Sequence, residues 1–290
     1  LFMKGGEKQM YKKVVLTLII LLFFVFVGGC SGIINDIPQG EDSRLEESKQ
    51  EKPSQKDVED SEIEIDAIKE EIEKMSLDEK IGQMLIIGLD GYTLDDNIRR
   101  MIEEDYIGGL ILFSRNVENS GQLLELMNSL KSANSKNNVP LFLSVDEEGG
   151  KVSRMPDELK DIPTNRVIGQ KNDKDFSYNI GSVIGEEIKS FGFNMNFAPV
   201  LDIDSNPNNP VIGDRSFGPN EKIVSELGIG TMKGLQSKGI IPVVKHFPGH
   251  GDTSVDSHIG LPRIDKDLNS LYEFELIPFK EAIENKSDAV

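Results

Sequence analysis

All three histidines of this chain lie in one short stretch, Val243–Pro262. An apolar segment, Ile240–Val244, leads into it and predicts a buried strand, and Pro248, Gly249 and Gly251 predict that a loop follows. A strand that delivers titratable groups into such a loop is how a rigid scaffold presents a reactive site. We therefore predict a functional site here in preference to a polar surface loop. Its titratable residues are Lys245, His246, His250, Asp252, Asp256 and His258.

Asp256 and His258 are separated by a single serine, so the carboxylate is close enough to hydrogen-bond an imidazole nitrogen. Such a carboxylate fixes the tautomer of the histidine and favours the imidazolium, which raises the histidine pKa. This chemistry suits a group that protonates a leaving group and later removes a proton from water. The alternative is a structural Asp–His pair that ties down the loop.

A metal site is the rival interpretation of the same stretch. Zinc could take nitrogen and oxygen ligands from His246, His250, Asp252, Asp256 and His258. However, Pro248 and Gly249 separate the first two histidines, and the helical His-Glu-x-x-His pattern is absent. Asp202–Asn206 has the Asp-x-Asp-x-Asn spacing with which a calcium-binding loop begins, but Pro207 occupies the place of the turn glycine. No phosphate-binding loop or dinucleotide fingerprint is present, so the sequence predicts no cofactor and no resident metal.

Composition limits the partners of the protein. Asp and Glu together number 50 against 32 Lys and Arg, which gives a net charge of −18 over 290 residues. Because no basic stripe accompanies this acidity, nucleic acid is an unfavourable partner. Cys30 is the single cysteine, which excludes a disulfide framework and a cysteine-based metal site.

The beginning of the chain has the pattern of an export signal. Lys12 and Lys13 precede an apolar run, Val14–Val27, that is short for a membrane span but suits a signal-peptide core. The small residues directly before Cys30 resemble the lipobox of bacterial lipoproteins, whose cysteine is acylated. We expect a signal peptide over residues 1–30 and a protein lipid-anchored to the outer face of the cell membrane. An uncleaved anchor helix is the alternative.

The remaining chain divides by composition. Residues 31–61 are rich in Glu, Lys, Ser and Asp and predict a flexible linker, and residues 62–290 alternate between strand and helix patterns. The predicted strands are Ile81–Leu89, Gly108–Phe113, Pro140–Val145, Asn194–Leu201 and Ile240–Val244. The predicted helices are Ile65–Met75, Leu94–Glu104, Ser120–Ala133, Tyr178–Ser190, Lys222–Gln236 and Asn269–Glu284.

Apolar strands that alternate with amphipathic helices predict an α/β fold with a parallel sheet. Polar residues follow the carboxyl ends of several strands, namely Arg115, Asn116, Asp146 to Glu148, Asp202, Asp204, Lys245 and His246. In a (β/α)8 barrel this face holds the active site. Ser287–Val290 has the pattern of a sixth strand just beginning, so we expect a TIM-type barrel that is incomplete, with about five and a half β/α units.

Four segments carry a family resemblance. Lys245–Thr253, followed by Asp256-Ser257-His258, closely resembles a signature of glycoside hydrolase family 3, in particular its bacterial β-N-acetylhexosaminidases. Asp146–Arg154, Ala198–Asp202 and Gly213–Gly218 agree with the same family in the same order. The resemblance extends over about residues 76 to 290.

The resemblance implies a (β/α)8 barrel that removes terminal β-linked N-acetylglucosamine with retention, through a covalent glycosyl-enzyme. It implies that His258 is the acid/base, that Asp256 is its partner and that Asp146 binds sugar hydroxyls. The other substrate-binding positions that it implies are Arg154, Arg215, Lys245 and His246. The corresponding substrates are glycans derived from peptidoglycan.

The sequence departs from the family pattern in two respects. Glu147 and Lys151 replace a Gln and an Arg often found in the Asp146 segment. The family's nucleophile, an aspartate on a later loop, would fall beyond Val290. Retaining hydrolysis needs two groups about 5 Å apart across the scissile bond, and this sequence supplies only one. We therefore expect an N-terminal fragment that is inactive by itself. Two alternatives stay open: a family 3 β-glucosidase or xylosidase, and a non-catalytic envelope lipoprotein that binds glycan.

Overall fold

The computed structural model describes residues 67–159, 161–255 and 259–290. The predicted signal peptide, Cys30 and the linker lie outside these residues, as do Asp256 and His258. Their roles, and the domain boundaries at 30/31 and 61/62, therefore stay predictions. Among the described residues no helix is both long enough and apolar enough to span a membrane.

A parallel sheet forms the centre of the described chain, and its five strands lie side by side in chain order. The strands are β1 Ile86–Gly88, β2 Gly109–Leu112, β3 Phe142–Val145, β4 Met195–Asn196 and β5 Ile241–Pro242. A parallel bridge between Val243 and Ala289 continues the order at the place of the predicted sixth strand. Sequential parallel strands joined through helices are the arrangement of a (β/α)8 barrel, here partial, which confirms the predicted fold class.

Helices connect the strands and cover one side of the sheet. They are α1 Leu77–Gln83, α2 Asp96–Glu103, α3 Ser120–Ala133, α4 Asn165–Lys171, α5 Lys174–Phe191, α6 Glu221–Ser237, α7 Leu268–Glu273 and α8 Ile277–Glu284, and residues 67–74 are also helical. Seven of these begin after a residue whose side chain accepts a backbone N–H of the first turn, for example Asp95, Asn119 and Asp173. Such caps satisfy donors that the helix itself leaves free.

The predicted strand Ile81–Leu89 is wrong over most of its length. Ser76 caps a helix there, because its hydroxyl accepts the N–H of Glu79 while the Glu79 carboxylate accepts the N–H of Ser76. Helix α1 therefore continues to Gln83, and β1 keeps only three residues. β1 is an edge strand, and Ile86 is exposed rather than buried.

Other boundaries also differ from the predictions. The predicted strand Asn194–Leu201 contains only the two-residue β4, and the predicted helix Asn269–Glu284 consists of α7 and α8. Pro278 explains this division, because a proline is tolerated only in the first turn of a helix, where α8 places it. Helix α4 was not predicted. The remaining strands and helices lie close to their predicted positions.

Two groups of buried side chains hold the layers together. One packs strands β2 and β3 against α2, α3 and α5, with Leu110, Leu143 and Met127 at its centre. The other packs α6 and α8 beneath the polypeptide that follows β4 and β5, with Phe217 and Phe279 buried in it. These two cores fix the carboxyl ends of β3, β4 and β5, where the polar residues lie.

Candidate active site

The carboxyl ends of β3, β4 and β5 surround a cavity of about 920 Å³. Asp146 directly follows β3, and Lys245 and His246 come three and four residues after β5. Arg215 ends a short 3₁₀ helix, Gly213–Arg215, in the segment between β4 and α6. The structure places all five predicted substrate-binding residues on the wall of this cavity: Asp146, Arg154, Arg215, Lys245 and His246.

Glu148 joins the charged groups of the cavity. Its side chain is 1% exposed and accepts two hydrogen bonds from Arg215, at 2.9 Å from Nε and 2.8 Å from Nη2. Lys245 Nζ lies 2.6 Å from Glu148 Oε1 and 2.6 Å from Asp146 Oδ1. Two cations and two carboxylates therefore form one connected group. Paired hydrogen bonds between a guanidinium and a carboxylate are among the strong interactions of proteins.

Electrostatics keep Glu148 and Arg215 ionised. Burial raises the pKa of Glu148, but the hydrogen bond from Arg215 and the charge of Lys245 outweigh it, so its pKa falls below the usual value. Burial also works against the charge of Arg215, yet the hydrogen bond to Glu148 raises the Arg215 pKa overall. The two buried groups thus stabilise each other's charged form.

His246 lies between Asp202 and Arg215. Its Nδ1 is 2.5 Å from Asp202 Oδ2, and its Nε2 is 3.2 Å from Arg215 Nη2. Because a guanidinium only donates, Nε2 accepts from Arg215 and Nδ1 carries the proton that faces Asp202. This arrangement orients the ring through both of its nitrogens. It also leaves His246 without a free nitrogen lone pair for a metal.

Asp202 also holds the backbone of the loop. Its Oδ1 accepts the N–H of His250 at 2.7 Å and that of His246 at 3.3 Å, and the residue is fully buried. His250 Nδ1 lies 2.6 Å from the Thr253 hydroxyl, which donates in turn to the His250 carbonyl. The His250 ring is buried, and its Nε2 has no partner among the described residues.

The metal alternative gains no support from the geometry. Within the described ranges, no three His, Cys, Asp or Glu side chains are arranged to hold a metal ion. Two ligands of that alternative, Asp256 and His258, lie outside these ranges. The described members of that set are His246, His250 and Asp252. His246 and Asp252 pair with Asp202 and Lys266, and His250 is engaged through Nδ1 alone, with the Thr253 hydroxyl.

Glu147, one of the two departures from the family pattern, is not among the residues that line the cavity. Its carboxylate accepts the backbone N–H of Arg154 at 2.7 Å, and its own backbone exchanges hydrogen bonds with the Asn196 side chain. Burial raises the pKa of Glu147. Burial, together with repulsion from Glu147, raises the pKa of Glu187 on α5 to about 7.

Glu148 and Asp202 had been given no site role. Charge balance could have identified Glu148. The predicted substrate-binding residues include the cations Arg215 and Lys245 but only one carboxylate, Asp146, so a second carboxylate is needed to balance their charge. Asp202 carried a weaker signal, namely its position after the predicted strand Asn194–Leu201. Asn206 and Asn209, which the sequence also did not reveal, donate to the backbone carbonyls of Thr253 and His250. These carbonyls belong to residues 246–266, which we call the histidine loop.

Comparison with known proteins places the chain among glycoside hydrolases. A sequence profile described as the glycosyl hydrolase family 3 N-terminal domain matches residues 76–290. A β-hexosaminidase A of Pseudoalteromonas piscicida is 44% identical over 197 residues, which cover 66% of this chain and 33% of that protein. A β-hexosaminidase of Nitrosomonas eutropha is 36% identical over 206 residues, 69% of this chain and 58% of that protein. The chain thus spans less than two thirds of either relative.

Solved structures agree. A family 3 β-N-acetylglucosaminidase from a Paenibacillus species superposes with a TM-score of 0.71 at 41% identity, covering 74% of this chain and 41% of that one. NagZ from Neisseria gonorrhoeae, solved with N-trifluoroacetyl-D-glucosamine, gives a TM-score of 0.66 at 33% identity. That match covers 71% of this chain and 62% of the other.

Replacing Glu148 with Gln should destabilise the folded protein. The change leaves two cations with one carboxylate in a largely buried site, at a cost of about 3 kcal/mol in the free energy of unfolding. Urea denaturation of the intact protein measures this cost. The matched control is Asp214→Asn, which removes an exposed pair with Lys151 at 3.6 Å and should cost less than about 1 kcal/mol. Equal losses in the two variants would contradict the role given to Glu148.

Replacing Glu187 with Gln should change how stability depends on pH. The folded-state pKa of Glu187, about 7, is above the usual 4.5, so its contribution is present below about pH 4.5 and is lost as pH rises to about 7. Because the side chain is only partly buried and solvent screens its charge, we expect a loss of only about 1 kcal/mol. Unfolding measured between pH 4.5 and 7.5 should show the stability of Glu187→Gln rising relative to wild type over this interval. The exposed neighbour, as Glu186→Gln, should show no such rise, and parallel curves for wild type and Glu187→Gln would refute the assignment.

Proposed function

Since this chain belongs to glycoside hydrolase family 3, we propose that its cavity takes part in the retaining hydrolysis of terminal β-linked N-acetylglucosamine. The observation that carries the proposal is the connected group of Asp146, Lys245, Glu148 and Arg215 at the carboxyl ends of the strands. The relatives named as β-hexosaminidases support the same activity. We further propose that the substrates are glycan fragments derived from peptidoglycan.

The chemistry of the wall suits a sugar. The carboxylate of Asp146 accepts hydrogen bonds from vicinal hydroxyls, and Lys245 holds it at 2.6 Å. Arg154 Nε is buried without a partner among the described residues, so it is a donor available to a hydroxyl or acyl oxygen. Arg215 and His246 are oriented by their own hydrogen bonds, and such positioning before binding lowers the entropy cost of holding a ligand.

In the proposed reaction His258 is the acid/base and Asp256 its partner. As the glycosidic C–O bond breaks, the imidazolium gives its proton to the leaving oxygen while a carboxylate bonds to the sugar C1. The neutral imidazole then takes a proton from the water that attacks C1, which releases the sugar and restores the carboxylate. The family resemblance assigns that carboxylate to an aspartate beyond Val290, so the proposal concerns the whole enzyme.

The test uses the intact protein and an aryl β-N-acetylglucosaminide. We expect chromophore release in the wild type and a loss of about 10²- to 10⁴-fold in kcat for His258→Ala, the range for a positioned acid/base. Leu261→Ala is the control, because Leu261 lies in the same loop and is 90% exposed. Absence of release, or release that His258→Ala leaves unchanged, would end the proposal. Faster release from an aryl β-glucoside or β-xyloside would assign the activity to the other branch of the family, and sugar binding without release would indicate a glycan-binding protein.

We also propose that the protein is exported and lipid-anchored at Cys30. The basis is sequence alone: a basic start, the apolar run Val14–Val27 and two glycines before the cysteine. Mass spectrometry of the mature protein should find an acylated N-terminal cysteine, and Cys30→Ser should release the protein from membranes. A mature N-terminus upstream of Cys30 would replace this proposal with the uncleaved anchor.

A further inference from the structure

Asp252 and Lys266 stand at the two ends of the segment 253–265, and their side chains meet. Lys266 Nζ lies 2.8 Å from Asp252 Oδ2 and also forms an ion pair with Glu275 Oε1. Glu275 belongs to the short turn between α7 and α8. We call Asp252, Lys266 and Glu275 the Lys266 bridge. It joins both ends of the segment to the helical layer.

The bridge is not an ordinary surface ion pair. Only 3% of the Glu275 side chain is exposed, and the other two side chains are 29% and 33% exposed. Burial lowers the pKa of Lys266, but hydrogen bonds to Asp252 and Glu275 more than offset it, so the ammonium is retained. A carboxylate as buried as Glu275 is costly without a charged partner. Lys266 and Glu275 therefore hold each other in place.

The beginning of the segment has further contacts with the barrel. Asn209 Nδ2 donates to the carbonyl of His250 at 2.8 Å, and Gly251 packs directly on the carbonyl of Ile203. Gly249 adopts a φ of +122° and leaves no room for a side chain beside Glu275, where a Cβ would lie 3.0 Å from the Glu275 Cβ. The first end of the segment is thus fixed independently of Lys266.

The second end has fewer apolar contacts. Ile259 and Leu261 are 86% and 90% exposed, and Arg263 pairs with Asp265 on the surface. Burial of apolar side chains therefore fastens this part of the chain only weakly to the core, since Pro262 and Ile264 are no more than partly buried. The ion pair between Lys266 and Asp252 therefore sets the distance between the two ends of the segment.

We propose that Lys266 is a positioning residue for the reaction, because it fixes the span between the two ends of the segment that carries Asp256 and His258. This inference rests on the proposed function. Lys266 touches neither the cavity nor the sugar-binding group around Asp146 and Lys245. Its loss should therefore impair proton transfer and leave sugar binding unchanged.

The experiment compares variants of the intact protein. Lys266→Met combined with Glu275→Met removes the bridge without leaving a buried charge, and Asp252→Asn breaks only the link to the first end. We expect kcat on an alkyl β-N-acetylglucosaminide to fall about 10- to 100-fold in the double variant, part of the 10²- to 10⁴-fold that a positioned acid/base contributes. Lys266→Arg should restore most of the activity. Arg263→Met combined with Asp265→Asn, the exposed pair of the same segment, is the matched control and should change kcat less than twofold.

Two further measurements separate positioning from general damage to the fold. The Kd of N-acetylglucosamine, measured by calorimetry, should stay within twofold of wild type, because Asp146, Arg215 and Lys245 are held elsewhere. Azide, a nucleophile that needs no base, should raise turnover of an activated aryl substrate by the bridge variants and by His258→Ala, but not by wild type.

The outcomes distinguish this inference from the proposed function. Wild type that releases no chromophore overturns both. Active wild type, impaired His258→Ala and unimpaired bridge variants overturn the role of Lys266 alone. A Kd that weakens in proportion to kcat also overturns it, because Lys266 would then support only the fold.

Discussion

One buried carboxylate holds the described site together. Glu148 follows β3, yet its partners Arg215 and Lys245 come from the segment after β4 and from the end of β5. Without Glu148 these two cations would lose the one carboxylate that both of them contact directly. The strands bring the backbone to the carboxyl edge of the sheet, but the contacts with Glu148 orient the two cationic side chains. Asp146 is therefore held in a fixed orientation and keeps a face toward the cavity.

Asp202 fixes the histidine loop by hydrogen bonds, as Glu148 fixes the two cationic side chains. Fully buried after β4, it accepts from the His246 ring and from two backbone N–H groups, one at each end of the turn from His246 to His250. The ring of His246 then meets Arg215, which connects Asp202 to Glu148 through two side chains. A fully hydrogen-bonded polar network of this kind specifies one arrangement, whereas a partly satisfied one would be costly.

The sequence predicted the features that depend on local physics. Continuous apolar runs located four of the strands, and the polar residues that follow them marked the edge where the site lies. The error at Ile81–Leu89 arose because a purely apolar strand pattern outweighed the capping pair Ser76 and Glu79, which starts α1. Glu148 and Asp202 were missed for a different reason. Their roles depend on partners 67 and 44 residues away along the chain, and periodicity within a short window carries no information about such contacts.

The two ends of the histidine loop are held by different kinds of interaction. Backbone N–H groups bound to Asp202, and amides such as Asn209 bound to backbone carbonyls, fix the first end by short-range hydrogen bonds with defined direction. At the second end an ammonium meets two carboxylates, an attraction that falls off slowly with distance and tolerates small displacements. The second end is tethered to the helical layer through the less directional ion pairs of Lys266, which fits the proposed role of this loop in carrying the acid/base.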